Sequence, residues 1–196
     1  GQTSPYLTMN ASLNLDYAKV KSIEILDDGT MVIGVYQKGL IVIQPAMKDF
    51  TYHAISPDND GINASCISAM TKGWIATDGC GMFKTSGIEN QSSRVTEGLN
   101  STLVQTVITD KHGTVWVGSY GGGVQQYADG KFITPDWLSS FKNTPVMSLA
   151  YDPVNDVIYI GTNGMGVMVA NIKAQKCMNL ASSDITNTWI STLHYD

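Results

Sequence analysis

The sequence predicts an all-β fold, a β-propeller made of blades with four antiparallel strands each. One short phrase recurs four times: VIGVYQKGL from Val32, WIATDGCGM from Trp74, WVGSYGGGV from Trp116 and YIGTNGMGV from Tyr159. The first residues of successive copies lie 42, 42 and 43 positions apart. A period of this length with strand-like content is typical of a propeller or a solenoid of small sheets. No helical stripe of useful length interrupts the repeats.

The third repeat shows how the sequence encodes one blade. Residues 104–108 alternate apolar and polar side chains, as a half-buried strand does. Three Gly-containing turns follow, at residues 110–113, 119–122 and 128–130. They separate three further short strands. Four strands in about 42 residues correspond to one propeller blade.

The other copies follow the same order of strands and turns. The chain divides into repeats at approximately 15–61, 62–97, 98–140 and 141–183, with the start of a fifth at 184–196. Tyr6–Leu13 is interpreted as the outer strand of a preceding blade, and Trp189–His194 as the first strand of the fifth. We therefore expect a single propeller region over residues 1–196, with about four complete blades and a partial blade at each end.

Composition narrows the classes of function. The net charge is −5 and the chain contains a single arginine, Arg94, which disfavours binding to nucleic acid. No apolar run is long enough to cross a bilayer, so no membrane insertion by this chain is expected. The three cysteines lack a CxxC spacing and the histidines fall in different repeats, so we expect buried thiols, no metal site, no cofactor and no catalytic group.

Candidate ligand-binding residues occupy the variable centre of the phrase and the connections between blades. If the innermost strand comes first in each blade, the turns between second and third strands share one face with the blade-to-blade connections. Loops on a rigid scaffold commonly carry binding residues. Trp74 and Trp116 are instead predicted to pack between blades. The predicted ligand-binding residues are Tyr36, Lys38, Asp78, Tyr120, Trp137, Asn163 and Trp189. The alternative is that each is an ordinary turn or packing residue.

The segment DKHGTVWVGSYGGGV, which begins at Asp110, resembles the two-component regulator propeller repeat. In that family a D…G.lWigT..GGl phrase follows a GL.…V.si strand, and Gly98-Leu99 with Val104–Val107 match this preceding part. The resemblance extends from about residue 15 to 194. Two copies depart from it, with Val32 and Tyr159 in place of tryptophan. The copy number is low for the family, which favours a fragment of a longer propeller.

The resemblance implies the periplasmic sensor region of a bacterial hybrid two-component regulator, with a histidine kinase outside this chain. Many such systems control carbohydrate use, so the implied ligand is an oligosaccharide. The predicted residues suit this ligand, because sugar rings stack on aromatic side chains while their hydroxyl groups bind Asp, Asn and Gln. By this interpretation the chain itself is not an enzyme.

Two other classes of function remain open at this point. One is a propeller scaffold for protein–protein interaction, and the other is a glycan-processing hydrolase or lyase, since propellers also host such enzymes. A sialidase is disfavoured because it needs several arginines. Exposed edge strands also predict self-association, with a homodimer as the expected form.

Overall fold

The structure is a computed structural model that describes residues 19–36, 39–43, 51–53, 67–85, 93–180 and 188–196. Within these ranges sixteen strands form four antiparallel sheets of four strands each. Every sheet consists of four consecutive strands that are hydrogen-bonded in chain order. The predicted all-β fold with four-stranded propeller blades is confirmed.

The strands of the four blades have the following bounds. Blade one contains β1 (Val20–Ile25), β2 (Met31–Val35), β3 (Gly39–Ile43) and β4 (Thr51–His53). Blade two contains β5 (Ile67–Thr71), β6 (Trp74–Thr77), β7 (Gly81–Lys84) and β8 (Ser93–Val95). Blade three contains β9 (Val104–Thr109), β10 (Val115–Ser119), β11 (Gly123–Ala128) and β12 (Lys131–Ile133). Blade four contains β13 (Val146–Asp152), β14 (Val157–Thr162), β15 (Val167–Asn171) and β16 (Lys176–Asn179).

The first strand of each blade is the innermost strand, as expected from the sequence. Strand β1 contacts β5, β5 contacts β9, and β9 contacts β13, so the first strands of successive blades lie side by side. The turns between second and third strands therefore lie at the same end of the blades as the points where the chain enters each first strand.

Each first strand carries a β-bulge near its beginning. In all four blades one residue is skipped in the pairing with the second strand: Lys21, Ser68, Gln105 and Met147. A bulge bends the strand and redirects the side chain of the extra residue. The alternation of apolar and polar residues does not predict this feature.

Neighbouring blades pack through apolar side chains of their first and second strands. Trp74 is 6% exposed and shares a cluster with Val104 and Val107 of the next blade. Trp116 is 2% exposed and shares a cluster with Val146 of the blade that follows it. Burial of one large apolar side chain contributes about 1.5–3 kcal/mol. The two tryptophans of the phrase are therefore packing residues, as predicted.

A small residue in each second strand leaves room for the next blade. A Cβ placed on Gly34 would lie 2.9 Å from Cγ2 of Ile67, and a Cβ on Gly118 would overlap Val146. In blade two Ala76 is the equivalent residue and is fully buried. We call this pattern large-x-small, because the bulky residue of the phrase is followed two positions later by Gly or Ala.

The connection between blades three and four contains a 3₁₀ helix, Asp136–Phe141. The sequence shows no helical stripe here and so does not predict this helix. Leu138 of this helix is 2% exposed and belongs to the core cluster between the two blades. The helix therefore fills the space between blades.

The C-terminal segment docks on blade four but forms no strand ladder. Only Trp189 makes a bridge, to Asn163, and residues 190–196 carry no regular structure. The backbone N–H of Ile190 donates to Thr162 O at 2.9 Å, and that of Leu193 donates to Ser148 Oγ at 2.9 Å. The segment thus occupies the place of a first strand of a fifth blade. The prediction that Trp189–His194 forms a strand is wrong, because only Trp189 makes a bridge and the rest has no ladder partner among the described residues. The predicted strand Tyr6–Leu13 lies outside the described residues.

The sequence predicts that the three cysteines are buried thiols, and two of them lie within the described residues. Cys80 is buried and Cys177 half-buried, and neither forms a disulfide, while Cys66 lies outside the described residues. Burial raises the pKa of Cys177 to about 11. Within the described part of the chain, no helix is long and apolar enough to span a bilayer.

Candidate ligand-binding rim

Four of the predicted site residues occupy equivalent positions in successive blades. Each is the first residue after the second strand, and we call the set the rim: Tyr36, Asp78, Tyr120 and Asn163. The equivalence follows from the backbone. The N–H of Tyr120 donates to the carbonyl of Leu103, just ahead of the first strand of its own blade, at 2.8 Å. The N–H groups of Tyr36 and Asn163 make the same bond in their blades, at 2.8 and 2.9 Å.

Two of the rim residues also lie next to the chain that enters the following blade. Asp78 forms an isolated antiparallel bridge with Leu103, and Asn163 forms one with Trp189. Leu103 therefore contacts Asp78 on one side and Tyr120 on the other. The predicted residue Trp189 is brought to the rim in the same way, beside Asn163.

Glycines after the second strand connect the rim to the next blade through backbone hydrogen bonds. The backbone N–H groups of Gly79 and Gly81 both donate to the carbonyl of Thr102, each at 3.0 Å. Their φ angles of 118° and 80° lie in the region that favours glycine. The two equivalent glycines of blade four bind Thr188 O in the same way, at 2.8 and 2.9 Å. The closing glycine of the phrase is thus an attachment point between blades.

The bulges place polar side chains against the rim. The amide Nε2 of Gln105 donates to Oδ1 of Asp78 at 2.9 Å. The ammonium group of Lys21 lies 5.6 Å from the ring centroid of Tyr36. Lys21 and Gln105 are both bulge residues. Sequence reasoning missed them because the bulge, which alone directs them to the rim, leaves no mark in the alternation pattern.

The aromatic side chains at the rim differ in exposure. Tyr120 is 44% exposed and Trp189 is 70% exposed, whereas Tyr36 is half-buried. Asp78 and Asn163 are half-buried. The rim therefore combines aromatic faces that solvent can reach with carboxylate and amide groups, a combination that suits polar ligands with apolar ring faces.

Two predicted site residues are not assigned to the rim. The ring of Trp137 packs edge-to-face on Trp116, with centroids 6.2 Å apart, and it borders the core cluster between blades three and four. Lys38 lies outside the described residues. The position of Trp137 in a connection gave no sign that a 3₁₀ helix would turn its indole toward a buried tryptophan.

A polar cluster joins blades three and four at the opposite end. Oδ1 of Asp156 accepts the hydroxyl of Tyr151 at 2.7 Å and lies 3.7 Å from Nζ of Lys111, while Oδ2 lies 3.4 Å from Nε2 of His112. The hydrogen bond from Tyr151 is the main cause that lowers the pKa of Asp156, and His112 and Lys111 add to it. Burial, together with the bond to Asp156, raises the pKa of Tyr151 to about 12. These contacts link turns of two blades.

No group of three His, Cys, Asp or Glu side chains within the described ranges is arranged to hold a metal ion.

Comparison with known proteins supports the predicted repeat. The family model described as Two component regulator propeller matches residues 98–121, the segment that contains Tyr120. The match covers the third of the four predicted repeats, so the predicted resemblance to this family is confirmed for residues 98–121. The comparison with curated proteins gives no match.

Several solved structures share the fold. One is the extracellular domain of BT4673 from B. thetaiotaomicron, described both as a one component and as a hybrid two component system, with a TM-score of 0.68 and 19% identity over 89% of this chain. A second is the extracellular domain of the hybrid two component system BT3049 from B. thetaiotaomicron, with a TM-score of 0.63 and 15% identity over 83% of this chain. This chain spans 23% and 24% of those chains.

An enzyme also shares the fold. Virginiamycin B lyase from Staphylococcus aureus aligns with 84% of this chain and 56% of its own, with a TM-score of 0.64 and 11% identity. At these identities the similarities to solved structures establish the propeller fold.

Proposed function

We propose that the chain is part of a non-catalytic, extracytoplasmic sensor propeller of a bacterial two-component signalling protein. In this proposal the rim binds an oligosaccharide in the periplasm. One observation carries it: the repeat that matches the two-component regulator propeller, residues 98–121, ends in the rim turn with its exposed Tyr120. The similarity of the fold to extracellular domains of two-component systems supports the same function.

The chemistry of the rim favours a sugar over other small ligands. Exposed Tyr120 and Trp189 offer apolar faces for the C–H side of a pyranose ring. Asp78, held by Gln105, and Asn163 offer acceptors and donors for hydroxyl groups. Because these residues recur once per blade, a ligand of several units could contact more than one blade. This repetition favours an oligosaccharide over a monosaccharide.

The test is a glycan array followed by calorimetric titration of any glycan that binds. We expect Tyr120→Ala and Asp78→Asn each to weaken binding about tenfold or more, as expected when one aromatic contact or one charged hydrogen bond is lost. Asp129→Asn is the matched control, because Asp129 is exposed in the turn between β11 and β12, at the other end of the blade. Equal weakening by all three variants would contradict a site at the rim.

The similarity to virginiamycin B lyase keeps a lyase or hydrolase as the second candidate. The enzyme hypothesis requires turnover, whereas the sensor hypothesis requires binding without it. Incubation of any glycan that binds with the protein, followed by mass spectrometry, distinguishes the two. Product formation that scales with protein concentration would replace the sensor proposal.

We also propose that the chain self-associates as a homodimer through outer strands. Met178 of β16 is 61% exposed and Leu180 is 39% exposed, so this edge offers apolar side chains beside an outer strand. Multi-angle light scattering at micromolar concentration tests this. A Met178→Lys variant should then be more monomeric than the wild type, and a wild type that is already monomeric would contradict the proposal.

A further inference from the structure

Blade one presents an apolar surface on its first strand, and later blades cover the positions of two of its residues, Val20 and Ile23. On β1, Val20 is 56% exposed, Ile23 is 57% exposed and Ile25 is 64% exposed. We call these three residues the open face. Three large aliphatic side chains on one strand are unusual for a free surface of a soluble blade.

The register identifies the counterparts of Val20 in the other blades. Val20 pairs with the last residue of the second strand of its blade, as do Ile67, Val104 and Val146 in theirs. Those three residues are 0%, 0% and 1% exposed. The same position is therefore completely buried wherever a blade precedes it.

Ile23 shows a similar contrast. Its counterparts are Met70, which is half-buried, and Val107 and Leu149, which are 3% and 5% exposed. Val107 shares a cluster with Trp74, and Leu149 shares one with Trp116. The bulky residue of the phrase in the preceding blade therefore covers this position.

The large-x-small pattern explains why the counterparts of both Val20 and Ile23 are covered. The bulky residue of a second strand lies in the cluster that buries the counterpart of Ile23. The Gly or Ala two positions later faces the counterpart of Val20, as Gly34 faces Ile67 and Gly118 faces Val146. The same packing of a second strand on the next first strand recurs along the chain. Its geometry therefore defines which strand can cover the open face.

A second copy of the chain does not supply a suitable partner strand. In each of the four second strands the small residue is already covered by the same chain. Ile67 covers Gly34 and Val146 covers Gly118. Val104 lies in one cluster with Ala76, and Ile190 of the docked C-terminal segment lies 2.8 Å from a Cβ placed on Gly161.

We propose that the open face is a docking surface for a further propeller blade whose second strand carries a bulky apolar residue, any residue, and then Gly or Ala. The bulky side chain covers Ile23 and the small residue receives Val20. In all four second strands of this chain the small residue is already covered. The partner is therefore a separate blade and not a second copy. This inference depends on blade packing and is independent of the ligand at the rim.

The test adds such a blade to the intact chain. A copy of residues 98–144, which includes the large-x-small strand with Gly118, is fused ahead of Gly1. The linking residues 1–18 can span at most roughly 60 Å at about 3.3 Å per residue, which is enough for the added blade to reach β1. We expect the melting temperature to rise by about 5 °C and amide exchange in β1 to slow at least tenfold.

The matched control is the same fusion with Gly118→Leu in the added copy only, which fills the space that Val20 needs. It should melt like the unfused chain and leave exchange in β1 unchanged. A second variant, Val20→Asp in the original blade one, should also cancel the gain. Equal behaviour of the Gly118 and Leu fusions would overturn the proposal. So would an unfused chain that forms dimers with β1 already protected from exchange, because a second copy would then cover the open face.

Discussion

The carboxylate of Asp110 accepts a hydrogen bond from the indole N–H of Trp116, with 2.9 Å between Nε1 and Oδ2. Its other oxygen accepts the backbone N–H groups of His112 and Thr114, both at 2.9 Å. Asp110 is only 6% exposed. One buried carboxylate thus closes the turn between β9 and β10 and satisfies a buried tryptophan. The Asp-to-Trp spacing of the phrase is therefore a structural link within a blade.

Removal of this carboxylate should strongly destabilise the protein. We expect Asp110→Ala to lower the free energy of unfolding by about 2–4 kcal/mol, since it leaves the buried indole N–H and two backbone donors without their partner. Trp116→Phe keeps most of the apolar packing and removes only the donor. In urea denaturation the double variant should be less destabilised than the sum of the single variants, by about 1–2 kcal/mol. Additive effects would contradict a direct bond.

The rim turn of blade three lacks a hydrogen-bonded link that blades two and four possess. Thr77 and Thr162 each donate their hydroxyl to the carbonyl of the closing glycine at 2.7 Å and accept a turn N–H, at 3.2 and 3.0 Å. Ser119 occupies the equivalent position and is fully buried, yet its hydroxyl has no hydrogen-bond partner in the described structure.

A threonine at this position should supply the missing link. We expect Ser119→Thr to raise the free energy of unfolding by about 1 kcal/mol, because the added methyl group restricts χ1 and the hydroxyl gains two partners. Thr162→Val is the converse change and should lower it by about 1–3 kcal/mol by leaving a turn N–H unpaired. Thermal unfolding followed by circular dichroism measures both. A destabilised Ser119→Thr protein would show that the turn cannot adopt the geometry of its neighbours.

The hydrogen-bonded pair Tyr151 and Asp156 should make the protein less stable at both alkaline and acidic pH. The folded protein raises the pKa of Tyr151 from 10.0 to about 12 and lowers the pKa of Asp156 below 3.8. A raised tyrosine pKa gives stability that is present below pH 10 and lost as pH rises toward about 12. A lowered carboxyl pKa gives stability that is present above about pH 4 and lost as pH falls further.

Melting temperatures measured from pH 2.5 to 11.5 test this pair. Tyr151→Phe should flatten the alkaline decline relative to the wild type, and Asp156→Asn should flatten the acidic decline. Asparagine is a suitable replacement because Asp156 has a φ of 59°, which asparagine tolerates. If the variants keep the full wild-type slopes, other groups control the pH dependence.

The strand order of each blade could be predicted because two local signals agree. Alternation marks the first strand, as in residues 104–108, and Gly-containing turns separate the strands that follow. The period of the phrase then fixes how many blades the chain contains. The equivalence of the rim residues followed from the same period, so Tyr36, Asp78, Tyr120 and Asn163 could be grouped before the structure was known.

Other features depend on contacts between blades and leave no local signal. The bulges that direct Lys21 and Gln105 to the rim arise from strand pairing. The packing of Trp137 on Trp116 depends on a 3₁₀ helix that fills a gap between blades. The role of Gly118 was equally invisible, because a glycine within a strand indicates a close approach without naming the residue that approaches.

The most direct test of the account is calorimetric titration of an oligosaccharide identified by glycan array, with the wild type, Tyr120→Ala and Asp129→Asn measured side by side. A carbohydrate-sensing rim predicts saturable binding without turnover by the wild type and Asp129→Asn, and at least tenfold weaker binding by Tyr120→Ala. Binding that Tyr120→Ala leaves unchanged, or an array on which no glycan binds while the protein captures a protein partner, would contradict a carbohydrate-sensing rim.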